Sequence, residues 1–293
     1  ADFYLKTLPL HPELKLTGVM DKKPERAQNL SQRYSVPVYE TLDAVLKDTS
    51  VDIILNLTNP RNHYEISKAC LDCNKHVYSE KPLATTIPEA KELVELAKSR
   101  GLHISSAPCN VLSESAQTLW KALRDDVIGN VRLVYAEMDD GLIHKMPYDH
   151  WLSESGIPWP YKDEFEVGCT LEHAGYYVTL LTTFFVPALT VTAFSSCLFE
   201  HIFPHPTHVA AASLGAGQQR ELDRGKRPFC VARHAGGENG ANHLFCAGPR
   251  HPAGMACLPQ RPSHPLSGAA DGVSARHAAA VCAVHCRSAA QAS

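Results

Sequence analysis

The chain has 293 residues, enough for one large domain or two ordinary ones, and its formal net charge at pH 7 is -3. This balance lacks the basic excess typical of nucleic-acid-binding proteins, so we expect no nucleic-acid partner. The sequence has no run of about 20 apolar residues and no secretory signal pattern at its start, so we expect a cytoplasmic protein that does not enter a membrane.

The first 109 residues alternate between short apolar runs and amphipathic helical patterns. The run 51–58 is apolar and β-branched, which is typical of a strand covered on both faces. Thr86 and Glu89 form a capping-box pattern, and Gly101 marks the end of the helix that follows. The predicted strands are 14–21, 51–58, 76–80 and 102–106, and the predicted helices are 24–35, 62–74 and 85–101. This alternation predicts an α/β fold with a Rossmann-type, doubly wound parallel sheet.

Three polar residues stand at the ends of three predicted strands: Asp21, Thr58 and Glu80. In doubly wound sheets, ligands bind beyond the carboxyl ends of the strands. A single polar residue at such a position would be unremarkable. Three of them together predict a binding site along this edge of the sheet.

From residue 110 the pattern changes to that of an α+β domain, which we place at 110–202 and interpret as partial. The predicted elements are a helix at 113–126, a half-exposed strand at 130–140, a buried helix at 169–185 and a strand at 188–199. We expect this domain to contribute to substrate binding and to oligomerisation.

The last segment, 203–293, differs from the rest in composition. It is rich in Ala, Gly, Pro, His and Arg, contains a single lysine and holds five of the ten cysteines. Apart from a weak helical pattern near 276–291, no helix or strand period continues through it, so we expect a disordered tail of low order. Two interpretations stand: a shifted reading frame, which we favour, and a natural disordered tail.

An acid after an early strand of a doubly wound domain indicates dinucleotide binding. Asp21 would accept hydrogen bonds from the adenosine ribose hydroxyls and repel a 2′-phosphate, which favours NAD over NADP. Lys22 and Lys23 weaken that preference, and an acid in a surface turn is the alternative. The G-x-G-x-x-G fingerprint is absent. We expect it to lie upstream of Ala1, and without it the cofactor would lose its phosphate contacts.

The stretch "NLTNPRNHYEISKACLDCNKHVYSEKPLATTIPEAKELVELAKSRG" carries a combination of motifs. A Thr-Asn-Pro turn at 58–60 precedes His63, and an EKP tripeptide at 80–82 follows the strand "KHVY". With this order and spacing, residues 1–110 resemble the nucleotide-binding domain of the Gfo/Idh/MocA oxidoreductases, which include glucose–fructose oxidoreductase and inositol 2-dehydrogenase. The resemblance implies an NAD(P)-dependent oxidoreductase that transfers a hydride to or from a sugar, polyol or related hydroxyl or carbonyl compound.

The resemblance also implies roles for the EKP tripeptide. Lys81 is expected to hydrogen-bond the reacting oxygen, where an ammonium stabilises negative charge. A lysine that trades protons needs a pKa below its free value, so we expect Glu80 to face the nicotinamide ribose and not the amine. Pro82 would restrict Lys81 to an extended backbone. A surface ion pair in a loop is the alternative.

Further positions match the family's pattern less closely. Thr58, Asn59 and His63 are expected to contact the cofactor, although His63 could instead be a helix-end histidine in a local hydrogen bond. Asn110 resembles an asparagine found at the start of the second domain and is expected to contact substrate. Val111 stands where an arginine commonly follows, which leaves the substrate contacts open.

The predicted helix at 169–185 corresponds to a helix that carries an Asp and, four residues later, a His in many relatives. The segment "GCTLEHAGYY" places His173 and Tyr177 at those positions, with Glu172 directly before them. Residues 173 and 177 share a helix face, and histidine titrates nearest neutrality. We therefore expect His173 to act as general acid or base, assisted by Tyr177 and with Glu172 near the substrate, across a cleft from Lys81. A core helix with a solvated polar side is the alternative.

Other interpretations stay open at this stage. A non-catalytic remnant would keep these motifs without binding the cofactor. Relatives form homo-oligomers, and the partial second domain makes the same assembly doubtful for this chain. Cys282, His285 and Cys286 are possible zinc ligands without a recognised spacing, so no metal site is predicted. We interpret the CxxC of Cys70 and Cys73 as free thiols within a helix.

Overall fold

The computed structural model of the chain describes residues 1–138, 143–185, 187–196, 208–215, 229–234, 243–247 and 280–286. The chain divides into two compact units. The first comprises Ala1–Ala107, Pro147–Val167 and Val273–Ser293, and the second comprises Pro108–Met146 and Gly168–Gly272. The units are interleaved in sequence, whereas the predicted domains are consecutive.

The first unit has the alternating strands and helices that its sequence predicts. Its strands are β1 (Leu14–Met20), β2 (Ile53–Leu57), β3 (His76–Ser79), β4 (Ile104–Ser106) and β10 (Ala280–Cys286). Its helices are α1 (Asp2–Thr7), α2 (Pro24–Tyr34), α3 (Leu42–Lys47), α4 (His63–Asp72) and α5 (Ile87–Ser99). Helix α5 begins with the predicted capping box of Thr86 and Glu89, and Gly101 follows it with a φ of 66°. The short helix α3 has no counterpart in the sequence prediction.

The sheet of the first unit has the strand order β1-β10-β2-β3-β4. Strands β2, β3 and β4 are parallel, as predicted, with Ile53 opposite His76 and Val77 opposite Ile104. Strand β10 lies between β1 and β2 and is antiparallel to both. The weak helical pattern near 276–291 is therefore a central strand over 280–286.

The residues of β10 explain this difference, because they alternate between two apolar clusters. Val281 and Ala283 pack in a cluster with Ile54 and Leu93, whereas Cys282 packs in a second cluster with Val19. Such alternation is the mark of a strand buried on both faces. Small alanine-rich segments favour helix by composition alone, and here burial between two strands overrides that preference.

The second unit contains a sheet with the order β6-β7-β8-β5-β9. Its strands are β5 (Leu133–Met138), β6 (Ala188–Ser196), β7 (His208–Gly215), β8 (Phe229–His234) and β9 (His243–Ala247). Helix α6 (Glu114–Arg124) belongs to this unit, as does the part of helix α7 (Tyr161–Phe185) that starts at Gly168. Gly168 interrupts α7 with φ 80° and ψ 161°, a conformation that glycine adopts without a steric cost. Across the described residues, no helix combines the length and the apolar character needed to span a membrane.

Candidate active site

Lys81 lies just beyond β3, at the carboxyl edge of the first unit's sheet. The backbone N–H of Glu80 donates a 2.9 Å hydrogen bond to the carbonyl of Asn56 on β2, so both charged residues are fixed to the strand end. The Lys81–Pro82 peptide bond is cis. Lys81 is buried, with 7% of its surface exposed. This burial disfavours a surface ion pair in a loop, which was the alternative interpretation of the sequence.

The carboxylate of Glu80 is held by two hydrogen bonds. The phenol of Tyr4, on α1, donates to Oε1 at 2.6 Å, and the backbone N–H of Lys81 donates to Oε2 at 3.0 Å. Burial raises the pKa of the Tyr4 phenol far above its ordinary value, and the Glu80 charge adds to this shift. Tyr4 therefore stays a donor at any physiological pH. The contact of Glu80 with a nicotinamide ribose stays a prediction.

A second acid lies near Lys81. Oε2 of Glu164, in the first turn of α7, is 3.9 Å from the Lys81 ammonium, and both side chains are buried. Glu164 belongs to the same compact unit as Lys81. Glu164 is absent from the predicted site residues, because it is 83 residues further along the chain than Lys81 and no motif marks it.

His63, at the start of α4, connects two loops at this edge. It is fully buried, with Nε2 at 2.7 Å from the carbonyl oxygen of Thr58 and Nδ1 at 2.6 Å from that of Pro82. A local hydrogen bond at a helix end, which was the alternative, accounts for the contact with Thr58. It does not account for the contact with Pro82, which lies in the turn that follows Lys81.

Asn56 organises the turn that carries Thr58. Its amide donates to the carbonyl of His63 at 3.1 Å and to the hydroxyl of Ser67 at 3.0 Å, and its Oδ1 accepts from the hydroxyl of Thr58 at 2.7 Å. Asn56 is fully buried within β2. Asn56 is absent from the predicted site residues, although a polar residue inside an otherwise apolar strand could have indicated this role.

The turn after β2 is joined to the first helical turns of α7. The amide of Asn59 donates to Oδ2 of Asp163, and Nε of Arg61 lies 3.2 Å from Oδ1 of the same acid. A terminal nitrogen of Arg61 also pairs with Glu166. Asn59, predicted to contact the cofactor, thus uses its amide within the protein.

Asp21 follows β1 and is buried, with 8% of its surface exposed. The backbone N–H of Lys23 donates to Oδ1 at 2.8 Å, whereas no donor among the described residues hydrogen-bonds Oδ2. Burial raises the pKa of this carboxyl, and the Lys23 hydrogen bond opposes the shift. A buried carboxylate oxygen without a donor fits the hydroxyl of a ribose. The surface-turn alternative fits the burial less well.

The predicted residues of the second unit lie on α7 and at its neighbouring loop. The amide of Asn110 donates to the carbonyl of Tyr176 at 2.6 Å, which attaches this loop to the helix. Glu172 is buried, while His173 is half-buried and stacks on Tyr176 with ring centroids 6.3 Å apart. Tyr177 is half-buried one helical turn after His173. Their roles in catalysis stay predictions.

Cys70, Cys73 and Cys282, three cysteines of the predicted motifs, are free thiols. Cys70 is buried within α4 while Cys73 is exposed, and both are free thiols. Burial raises the pKa of Cys70 to about 12, and that of Cys282 likewise, so neither forms a thiolate readily. Among the described residues, no group of three His, Cys, Asp or Glu side chains could hold a metal ion.

Comparisons with known proteins show that the first unit is similar to oxidoreductases. Residues 1–107 match the family described as "Oxidoreductase family, NAD-binding Rossmann fold" (GFO_IDH_MocA). An uncharacterized oxidoreductase of Schizosaccharomyces pombe is 34% identical over 102 residues, which cover 35% of this chain and 28% of that protein. Human trans-1,2-dihydrobenzene-1,2-diol dehydrogenase is 29% identical over 141 residues, which cover 48% of this chain and 42% of that protein.

A solved structure supports the fold. The WlbA dehydrogenase from Bordetella pertussis, determined in complex with NADH and UDP-GlcNAcA, superposes with a TM-score of 0.69 at 19% sequence identity. The superposition covers 84% of this chain and 70% of that one. The chain spans less than half the length of either of the two curated relatives named above.

Proposed function

We propose that this chain, whose residues 1–107 belong to the Gfo/Idh/MocA family of oxidoreductases, is an NAD(P)-dependent oxidoreductase. It would transfer a hydride between the nicotinamide and a sugar, polyol or related hydroxyl or carbonyl compound. The observation that carries the proposal is a buried lysine at the carboxyl end of β3, where this type of sheet binds its ligand. Asp21 and Thr58 stand at the same edge, after β1 and β2.

The bound cofactor would supply the hydride acceptor or donor, and the protein would supply orientation and charge. The Lys81 ammonium would bind the oxygen on the reacting carbon and stabilise the negative charge that develops there. Glu80 would bind the nicotinamide ribose through a carboxylate that Tyr4 and the Lys81 backbone hold in one orientation. Thr58, Asn59 and His63 would shape the same wall of the cofactor site.

Residues of the second unit would complete the proton chemistry. His173 would exchange the hydroxyl proton of the substrate as general acid or base, and Tyr177 would assist it. Asn110 and Glu172 would contact the remaining polar groups of the substrate. What supports this part is the helical spacing of residues 173 and 177, which puts both on one face of α7.

Asp21 supports NAD as the cofactor over NADP. Its buried Oδ2 suits a ribose hydroxyl, and its charge would repel a 2′-phosphate. The substrate class is proposed from the relatives: the human protein is named for a dihydrodiol, and the WlbA structure contains a nucleotide sugar acid. Both are cyclic compounds with neighbouring hydroxyl groups.

One observation favours a second candidate, a protein with this fold that does not bind the cofactor. Strand β10 is antiparallel to its neighbours, so its first residue, Ala280, lies opposite Leu57 at the carboxyl end of β2. In a dinucleotide-binding sheet, that position holds the end of a strand leading into a helix whose N-terminus binds the pyrophosphate. This candidate predicts an intact fold without NADH affinity.

Titration of NADH and NADPH fluorescence with the purified chain separates the two candidates. The proposed oxidoreductase binds NADH more tightly than NADPH, and Asp21→Asn narrows the difference. Absence of binding by a folded chain supports the second candidate. For turnover, Lys81→Met is compared with Lys98→Met, the same substitution at an exposed position of α5. Normal turnover of a polyol by Lys81→Met overturns the proposed role of the lysine.

A further inference from the structure

We infer that Glu164 is the buried counter-ion of Lys81 and holds this lysine in its charged form and in its position at the sheet edge. Glu164 is a positioning residue, because it acts through Lys81. The chemical meaning of the pair rests on the proposed function, whereas the pair itself does not. No motif in the sequence marks Glu164 for such a role.

The geometry of the two side chains supports the pair. The ammonium of Lys81 and Oε2 of Glu164 are 3.9 Å apart, and the two side chains are only 9% and 3% exposed. At this distance and degree of burial, solvent screens the attraction far less than it screens a surface ion pair. Removing one partner of such a pair leaves the other charge buried without compensation, which is strongly destabilising.

The helical turn that carries Glu164 is fixed independently of Lys81. Asp163 accepts from Asn59 and pairs with Arg61, and Glu166 pairs with the same arginine. On the other side of Glu164, Phe165 packs edge-on against Tyr148, with ring centroids 5.0 Å apart. Glu164 is thus presented by a turn that is anchored on both sides.

The other ionisable groups at this edge have their own contacts. Glu80 is bound by Tyr4 and by a backbone N–H, so its carboxylate faces the phenol. Arg61 is engaged by Asp163 and Glu166, and the ring nitrogens of His63 lie against two backbone carbonyls. Glu164 is an acid at ion-pair distance from the Lys81 ammonium.

This pairing changes the expected chemistry of Lys81. An opposite charge close to the amine favours the ammonium, so Lys81 would remain positively charged through the reaction. It would act by stabilising charge on the substrate oxygen, and the hydroxyl proton would be exchanged by another group. The general acid or base proposed on α7 would then be required, not merely helpful.

A double-mutant cycle tests the pair without cofactor or substrate. The variants are Glu164→Gln, Lys81→Met and the double variant, and each urea midpoint is measured on the full chain at pH 7. Because Glu164→Gln removes an acid at ion-pair distance from a buried ammonium, we expect a large fall in midpoint with lysine present. With methionine at position 81, we expect less than half of that fall. Glu166→Gln, on the same helical turn, serves as the matched control and should lower the midpoint equally in both backgrounds.

The pH dependence gives a readout that a purely structural role would not change. In Glu164→Gln, the loss of an opposite charge makes the amine of the folded state bind its proton less readily than in wild type. The urea midpoint of this variant should therefore rise between about pH 7 and pH 10 relative to wild type. The double variant should show no such rise.

An equal loss of midpoint from Glu164→Gln in both backgrounds would overturn the inference. If Glu164→Gln does not fold, Glu164→Asp takes its place in the cycle, because it keeps the charge on a shorter side chain. An equal loss of midpoint in both backgrounds would again overturn the inference. The result is independent of the proposed function. If the chain shows the coupling but does not bind NADH, the ion pair is supported and the proposed activity is not.

Discussion

The phenol of Tyr4 donates a 2.6 Å hydrogen bond to Oε1 of Glu80, which joins two residues that are 76 positions apart in sequence. Helix α1 thereby orients an acid that stands beside the proposed catalytic lysine. A buried carboxylate with a fixed donor keeps one orientation, and this orientation is what a cofactor ribose would meet.

We expect Tyr4→Phe to weaken both the fold and cofactor binding. Losing a hydrogen bond to a buried charged group costs about 1.5–3 kcal/mol of unfolding free energy. The matched control is Tyr64→Phe, since the Tyr64 phenol donates to the exposed Glu92 at 2.7 Å; there the expected loss is below about 0.5 kcal/mol. Urea unfolding and NADH titration measure both effects. Equal losses for the two variants would contradict the orienting role.

His63 is expected to hold the loop of Lys81 in place. His63→Leu removes the ring nitrogens that lie against the carbonyl oxygens of Thr58 and Pro82, which should cost at least about 2 kcal/mol of unfolding free energy. The amides of the peptide 78–84 should then exchange with deuterium faster than in wild type. His11→Leu, at an exposed position, is the control. Unchanged protection of this peptide in His63→Leu would show that the imidazole does not anchor the loop.

The sequence predicts those features of the site that depend on local order. Asp21, Thr58 and Glu80 each follow a short apolar run, and period and length place such runs in parallel strands. The capping box of α5 is likewise local, because its two residues are three positions apart. For these features, the free energy that decides the structure comes from neighbours in the chain.

Contacts between distant segments could not be predicted in this way. Glu164 and Tyr4 reach Lys81 and Glu80 from other elements, and the sequence around them looks like any amphipathic segment. Strand β10 forms because two distant strands exchange backbone hydrogen bonds with its edges and two apolar clusters cover its faces. Composition predicts the secondary structure that such a segment prefers in isolation, whereas packing between two strands determines the structure that it adopts here.

Asp48 provides a prediction about acid stability. Hydrogen bonds from the Tyr39 phenol, which has the larger effect, and from Ser50 lower the pKa of Asp48 to about 2, against an ordinary value of 3.8. The unfolded state therefore binds this proton more readily, so the stabilisation is present above about pH 4 and is lost as the pH falls towards about 2. Tyr39→Phe should make the loss of unfolding free energy between these pH values shallower.

Urea unfolding at a series of pH values from about 2 to 5 measures this slope. Tyr34→Phe is the control, because the Tyr34 phenol donates a 3.4 Å hydrogen bond to the backbone carbonyl of Asp2. The control should keep the wild-type slope. A wild-type slope in Tyr39→Phe would show that the phenol does not set the acidity of Asp48.

Strand β10 should be required for the stability of the first unit, because it pairs with β1 on one side and β2 on the other. Val284 is 1% exposed within it, so Val284→Asp would bury a charge at the centre of the sheet. We expect a loss of more than about 3 kcal/mol in unfolding free energy. Val94→Asp, at a 47% exposed position of α5 in the same unit, should change it by less than about 1 kcal/mol. Urea unfolding followed by circular dichroism compares the two variants, and similar midpoints would mean that 280–286 is not an integral strand of this sheet.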